Sequence, residues 1–106
     1  MNNQSEEIDR DLSNVSQVAE NAAEFMKTLA NPNRLIILEQ LQNGEACVGE
    51  LEKRLNISQS ALSQHLSRMR GEGILTRRRE SQQIFYSISD DRVERFLKVI
   101  FEIFYK

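Results

Sequence analysis

A mainly α-helical domain carrying one small β-hairpin is the fold class this sequence predicts, and three observations carry the prediction. Apolar residues recur at the i, i+3, i+4, i+7 spacing of amphipathic helices in five separate stretches. A single pair of short runs, 74–79 and 83–88, flanks the polar tip Glu80-Ser81-Gln82, and Ile84, Tyr86 and Ile88 alternate as one buried side requires. At 106 residues the chain lies far below the roughly 250 at which single cores split, so one domain is expected. Its 40% apolar and 28% charged residues supply a small core, of a size that often shares apolar surface with a second copy.

Residues 1–13, with Glu6, Glu7, Asp9 and Asp11 and no periodicity, read as a mobile acidic tail or a frayed helical turn; the tail is drawn at 1–14, which leaves 15–106 as the folded domain. Val15, Val18, Ala19, Ala22, Ala23, Met26 and Leu29 then mark a first helix. Asn31-Pro32 closes it and opens the next, because proline at the first helical position gives up an N–H that has no partner there. Leu35, Leu38 and Leu41 stripe that second helix, which stops near Asn43-Gly44. The tail MNNQSEEIDRDL is acidic and polar, unlike a secretory signal or a transit peptide. No run reaches the ~18–20 apolar residues of a membrane span. The expected compartment is the cytoplasm, with no membrane partner.

The third helix is short, with Val48, Leu51 and Leu55 inward. Cys47 stands at its capping position and Glu50 supplies the reciprocal half of a capping box, although a thiol replaces the usual hydroxyl poorly. A stronger start follows at Ser58, a good N-cap, with Ile57 ahead of it placed to staple onto Leu62. Leu62, Leu66 and Met69 form the inner face of this fourth helix, and Gly71 and Gly73 end it. Gln59, Ser60, Ser63, Gln64, Ser67, Arg68 and Arg70 are left outward, a set of hydroxyls, amides and guanidinium groups without the Lys–Glu pairs that merely solubilise a helix. The last helix is the most hydrophobic element. Val93, Phe96, Leu97, Ile100, Ile103, Phe101 and Phe104 line it, and so much aromatic surface invites a partner.

Charge singles out one region. Residues 1–57 hold five Lys+Arg against ten Asp+Glu, a net −5; residues 58–79 hold five arginines against Glu72, a net +4; residues 80–106 come to −1. A basic footprint on an otherwise acidic chain fits a polyanion-binding face. A short helix, a tight turn and a well-capped second helix make a helix-turn-helix, and the hairpin with Arg77, Arg78 and Arg79 adds a wing. Such a helix fits the major groove of double-stranded DNA. Gln59 and Gln64 suit two-bond contacts to adenine, Ser60 and Ser63 read less selectively, and Arg68 and Arg70 are placed for phosphates. Ser67 and the tip residue Gln82 complete the DNA-facing set. The wing arginines are expected on the neighbouring backbone or in the minor groove, with Arg78→Ala weakening binding to all sequences.

The segments LANPNRLIIL, CVGELEKRLNISQSALSQHLSRMRGEGIL and RRRESQQIFYSIS resemble the winged helix-turn-helix repressors of the ArsR/SmtB family, over residues 18–106. SQSALSQHL resembles the family's recognition helix, and QIFYSIS with the aromatic last helix is similar to the branch containing BigR, SqrR, HlyU and NolR. The resemblance implies a homodimer built on the first and last helices, bound to an imperfect inverted repeat in a promoter operator. It also implies that Gln59, Ser60, Ser63, Gln64 and His65 fall in the DNA-facing part of the helix.

The effector is where the sequence departs from that family. Arsenic- and lead-type sensors carry a C-V-C-D-L pattern where this chain has Cys47-Val48-Gly49-Glu50-Leu51. Zinc- and nickel-type sensors place Asp and His ligands on the last helix, which here has Asp90 and Asp91 but no histidine. The two cysteines of the redox and persulfide sensors match Glu39 and Tyr105. No metal, no cofactor and no known effector are therefore expected. Cys47 is either an inert cap or, from its place at a helix N-terminus, a single-cysteine redox switch. His65, the only histidine, is read as a contact to DNA or scaffold and not as a metal ligand. No Cys–His pair, glycine-rich phosphate loop or paired carboxylate argues for an enzyme. The rival from another class is a winged helix that dimerises or docks on protein without reading DNA.

Overall fold

The computed structural model describes residues 11–105. Its elements are α1 (Leu12–Leu29), α2 (Pro32–Leu41), β1 (Ala46–Cys47), α3 (Val48–Arg54), α4 (Gln59–Gly71), β2 (Leu75–Glu80), β3 (Gln83–Ile88) and α5 (Asp91–Phe104). Five helices and a small antiparallel sheet are the predicted fold class. The chain divides into two units, one up to Asn31 and one from Pro32 onward.

The first unit is α1. Its start corrects the sequence reading of residues 1–14 as tail. Asp11 caps the helix, its carboxylate accepting the Asn14 N–H at 2.9 Å and the Ser13 hydroxyl at 3.0 Å, so Leu12, Ser13 and Asn14 are already helical. The Asn14 N–H, followed by the Ser13 hydroxyl, holds the Asp11 carboxyl below the ordinary aspartate range. The rest of the proposed tail, residues 1–10, lies outside the described residues. Val15, Val18 and Met26 stand exposed along the helix, whereas Leu29 is buried.

The second unit builds its core from every element. Pro32 opens α2 as expected. The buried residues of that helix are Ile37, Leu38 and Leu41, with Leu35 only half-buried; the predicted stripe missed Ile37. The run Leu35-Ile36-Ile37-Leu38 carries no helical period of its own, so packing against β3 and α5 chooses its inner face. Leu51 of α3, Leu62, Leu66 and Met69 of α4, and Val93 and Leu97 of α5 meet there, all essentially without solvent exposure.

The hairpin belongs to a three-stranded sheet of order β1-β3-β2. The third strand, β1, was not anticipated, since two residues carry no alternation to read. Ala46 pairs with Tyr86 and Cys47 with Phe85, while β2 pairs with β3 from Leu75↔Ile88 to Glu80↔Gln83. Glu80 is thus the last residue of a strand and not part of the tip. Ser81 turns the corner in the left-handed region at φ 58°, where a non-glycine residue stores strain. Cross-strand partners point to the same face, so Arg77 and Arg79 share a face with buried Leu75 and Tyr86, and Arg78 shares the opposite one with Phe85.

Asp90 caps α5 by accepting the Arg92 N–H at 2.9 Å, and the Arg92 guanidinium closes back on the same carboxylate at 2.8 Å. The Arg92 guanidinium, then its N–H, holds the Asp90 carboxyl below the usual range. The far half of the helix is open: Val99, Ile103 and Phe104 are more than half exposed. No helix among the described residues is long and apolar enough to cross a membrane.

Candidate nucleic-acid interface

Both ends of α4 are fixed by local sequence. At its start the Ser58 hydroxyl accepts the Ala61 N–H at 3.2 Å. At its end the chain makes a Schellman turn: Gly73 takes φ 82°, its N–H reaches the Arg70 carbonyl at 3.1 Å, and the Ile74 N–H reaches the Met69 carbonyl at 2.9 Å. Ile74 and Met69, the pair whose contact accompanies this turn, are both buried. Gly71, read as a terminator, is the last helical residue, and Gly73 performs the reversal.

With Leu62, Leu66 and Met69 facing the core, the structure places Gln59, Ser60, Ser63, Gln64, Ser67, Arg68 and Arg70 at the exposed surface of the helix. These are the residues the sequence assigned to DNA. No large apolar side chain interrupts them. His65 sits half-buried at the edge of this face.

A contact that sequence reasoning missed steadies the helix from α2. The Arg34 guanidinium, 11% exposed, holds the Glu72 carboxylate at 2.9 and 3.4 Å. The two residues lie 38 positions apart, and no local pattern marks either one. Glu72, the only acid in the basic segment, is thereby matched from another helix.

Arg34 also bears on His65. Burial first, then the positive charges of Arg34 and Arg68, keep the imidazole pKa below its ordinary value. A base with a lowered folded-state pKa binds fewer protons folded than unfolded. Its contribution to stability is complete above the unfolded value of about 6.5 and is lost as pH falls through that value toward the folded one. Denaturant melts at pH 7.5 and 5.5 should therefore show wild type losing more stability on acidification than His65→Gln. Equal losses in the two proteins would remove His65 from the account.

The wing does not present three equivalent arginines. All three are exposed, the Arg78 side chain to about half. Arg78 is engaged: its Nε and Nη2 donate to the two Glu45 oxygens at 2.9 and 2.6 Å, its Nη1 donates to Glu80 at 2.7 Å, and its guanidinium carbon lies 4.7 Å from the Phe85 ring centre. Arg78 in turn holds the Glu45 carboxyl below the usual glutamate range. Arg78 thus differs from Arg77 and Arg79 in the acids it holds in the DNA-free chain.

Cys47 is buried, 8% exposed, beneath an open depression of about 370 Å³ lined also by Val48, Gly49, Gln82, Gln83 and Ile84. Its N–H donates to Glu50 Oε1 at 3.0 Å, so the glutamate half of the capping box forms. That N–H is also the main cause of the lowered Glu50 pKa. Gln82 is exposed at the wing tip. Among the described residues no group of three or more His, Cys, Asp or Glu is arranged to hold a metal ion.

Known proteins share this arrangement. The family model for bacterial regulatory proteins of the arsR family matches residues 31–77, from the start of α2 into β2. The nodulation protein NolR of Rhizobium meliloti is 45% identical over 81% of this chain and 70% of its own length. A biofilm growth-associated repressor of Agrobacterium fabrum is 44% identical over 81% of this chain and 74% of its own. The crystal structure of the transcriptional regulator HlyU from Vibrio vulnificus superposes with a TM-score of 0.84 at 38% identity, covering 89% of this chain and 98% of that one. On the helix-turn-helix, the wing and these likenesses together, the chain belongs to the arsR family of bacterial regulatory proteins.

Proposed function

We propose that this protein is a sequence-specific regulator of transcription, most simply a repressor, that binds a promoter operator in double-stranded DNA as a homodimer. The observation that carries the reading is the outer face of α4. It is capped at both ends, exposed along its length, and made of amides, hydroxyls and guanidinium groups with no apolar anchor. Protein-docking helices centre on buried aromatic or aliphatic anchors, whereas a face of this composition matches base edges and phosphates. The Agrobacterium relative's name, a repressor, supports the direction of control.

In this reading Gln59 and Gln64 read bases, with Ser60, Ser63 and His65 beside them. Ser67, Arg68 and Arg70 set the register on phosphates. Exposed Arg77, Arg79 and Gln82 meet the flanking backbone or minor groove. A second copy covers the apolar face left open on α5 and, separately, that on α1. Two-fold symmetry then sets the recognition helices about 34 Å apart, one DNA turn, on an imperfect inverted repeat.

Sensing by the family's usual means has little to work with. By the family resemblance, Glu39 and Tyr105 fall where a dithiol would and Gly49 where a second α3 thiol would, and Cys47 is buried. With a single cysteine in the sequence and no metal-holding group among the described residues, this reading gives the regulator neither the metal nor the dithiol site of its relatives.

Selection of bound sequences from random duplex DNA by the purified protein tests the reading. A two-fold symmetric motif is expected. A folded dimer that recovers nothing above background would overturn it and favour a protein-docking module. With the motif in hand, Gln64→Ala should weaken cognate binding by about 1–3 kcal/mol while leaving random-sequence binding nearly unchanged. Equal losses on both DNAs would strip Gln64 of its reading role.

A further inference from the structure

Arg78 lies on an edge strand, yet its partner is on the other side of the sheet. From β2 its side chain passes over Phe85 of β3 and closes on both oxygens of Glu45, the residue just ahead of β1. With the strands ordered β1-β3-β2, that path spans the width of the sheet. Glu80 takes Nη1 from the same strand, so one cation is matched by two carboxylates. The group Arg78, Glu45 and Glu80 therefore carries a net negative charge, although β2 as a whole is basic, on a sheet that the DNA reading brings against phosphate. A surface selected only for attraction to a polyanion would carry neither acid.

Glu45 also sits at a junction. β1 runs directly into α3, the first helix of the helix-turn-helix, with Cys47 as its cap. The pairing of β1 with β3 already joins the wing to the entry of α3; the bond from β2 to Glu45 adds a side-chain link that ties the outer strand of the wing to the same point. Exposed ion pairs add little to global stability. What a two-bond guanidinium–carboxylate grip does supply is a fixed direction.

We propose that Arg78 is a positioning residue. With Glu45 it straps the wing across the sheet to the segment entering α3 and sets the angle at which the wing meets DNA, leaving phosphate contact to Arg77 and Arg79. This rests on the reading of the protein as a duplex-binding regulator, and it replaces the expectation that Arg78 is itself a phosphate contact.

The sign of one substitution separates the two roles. Glu45→Gln removes a negative charge, so a purely electrostatic account has it bind DNA more tightly. The strap has it bind the selected operator about fivefold more weakly or worse, because the two-bond grip is lost and contacting groups are coupled on this scale. Arg78→Gln should weaken binding similarly while keeping the wild-type slope of log affinity against log salt, and a lost phosphate contact would lower that slope by about 0.9. The double variant should bind no worse than Arg78→Gln alone. Backbone amide exchange, measured without DNA, should quicken at residues 46–47 and 83–88 in all three variants. Tighter binding by Glu45→Gln, a shallower slope for Arg78→Gln, or additive losses in the double variant would each overturn the positioning role. So would unchanged amide exchange. Wild-type protein that holds no duplex would instead defeat the DNA reading, with faster exchange in the variants still registering the strap by itself.

Discussion

On the proposed homodimer, replacing Ile103 with glutamate is expected to leave a folded monomer and to weaken binding to the proposed operator by about 10²–10⁴-fold, the range by which linked binding exceeds single-site affinity. The argument starts from exposure. Ile103 is 56% exposed and Phe104 75% within one chain, on a helix whose inner face is already filled by Val93 and Leu97. Removing Ile103 therefore opens no cavity in the monomer, and its fold should survive. A charge placed on the apolar face that the proposed second copy covers would, by contrast, have to be desolvated without a partner, at a cost that opposes association. Sedimentation at micromolar concentration should report half the wild-type mass, with unchanged helical circular dichroism. A variant that stays dimeric and keeps full operator affinity would move the interface elsewhere.

What the sequence made legible follows from how far each interaction reaches along the chain. Ser58 and Gly73 announce the two ends of α4 because capping and helix reversal are decided within a few residues, and Leu62, Leu66 and Met69 repeat with the helical period. The outward placement of Gln59, Ser60, Ser63, Gln64, Ser67, Arg68 and Arg70 was legible for the same reason. Local signals also misled where they were short. Asp11 is an N-cap that draws residues 12–14 into α1, but its acidic company made it look like tail. β1 holds two residues and exists only because β3 passes beside it.

Pairings at long range left no trace. Arg34–Glu72 spans 38 residues and Arg78–Glu45 spans 33, so neither can be found by spacing. The arginine run 77–79 shows the consequence. Composition alone makes the three residues equivalent, whereas strand alternation sends the middle one to the opposite face and into the company of two acids. Burial of Cys47 was equally unreadable, because it depends on the sheet pairing that the sequence did not disclose.

Leu66→Ala is the second change with a large expected effect, and it acts through the buried face of α4. Leu66 is 1% exposed, one helical turn from Leu62 and nearly one from Met69, both without measurable exposure. Truncation at such a site costs about 2–5 kcal/mol, the loss of burial plus the cavity left behind, out of a total of roughly 5–15 for a domain. The melting temperature should fall by about 10 °C or more. The fall should shrink as operator DNA is added, since a ligand that binds only the folded state restores stability in proportion to its concentration. The comparison with Gln64→Ala gives the experiment its meaning. Gln64 lies two residues away on the exposed side, so its loss should leave the melt within about 0.5 kcal/mol of wild type while weakening cognate binding. Leu66→Ala should do the reverse at temperatures where it is folded. A helix whose inner residue governs stability and whose outer residue governs affinity is divided by face, as a scaffolded reader requires. If both variants lowered stability and affinity together, the outer face of α4 would be structural surface and not a recognition surface.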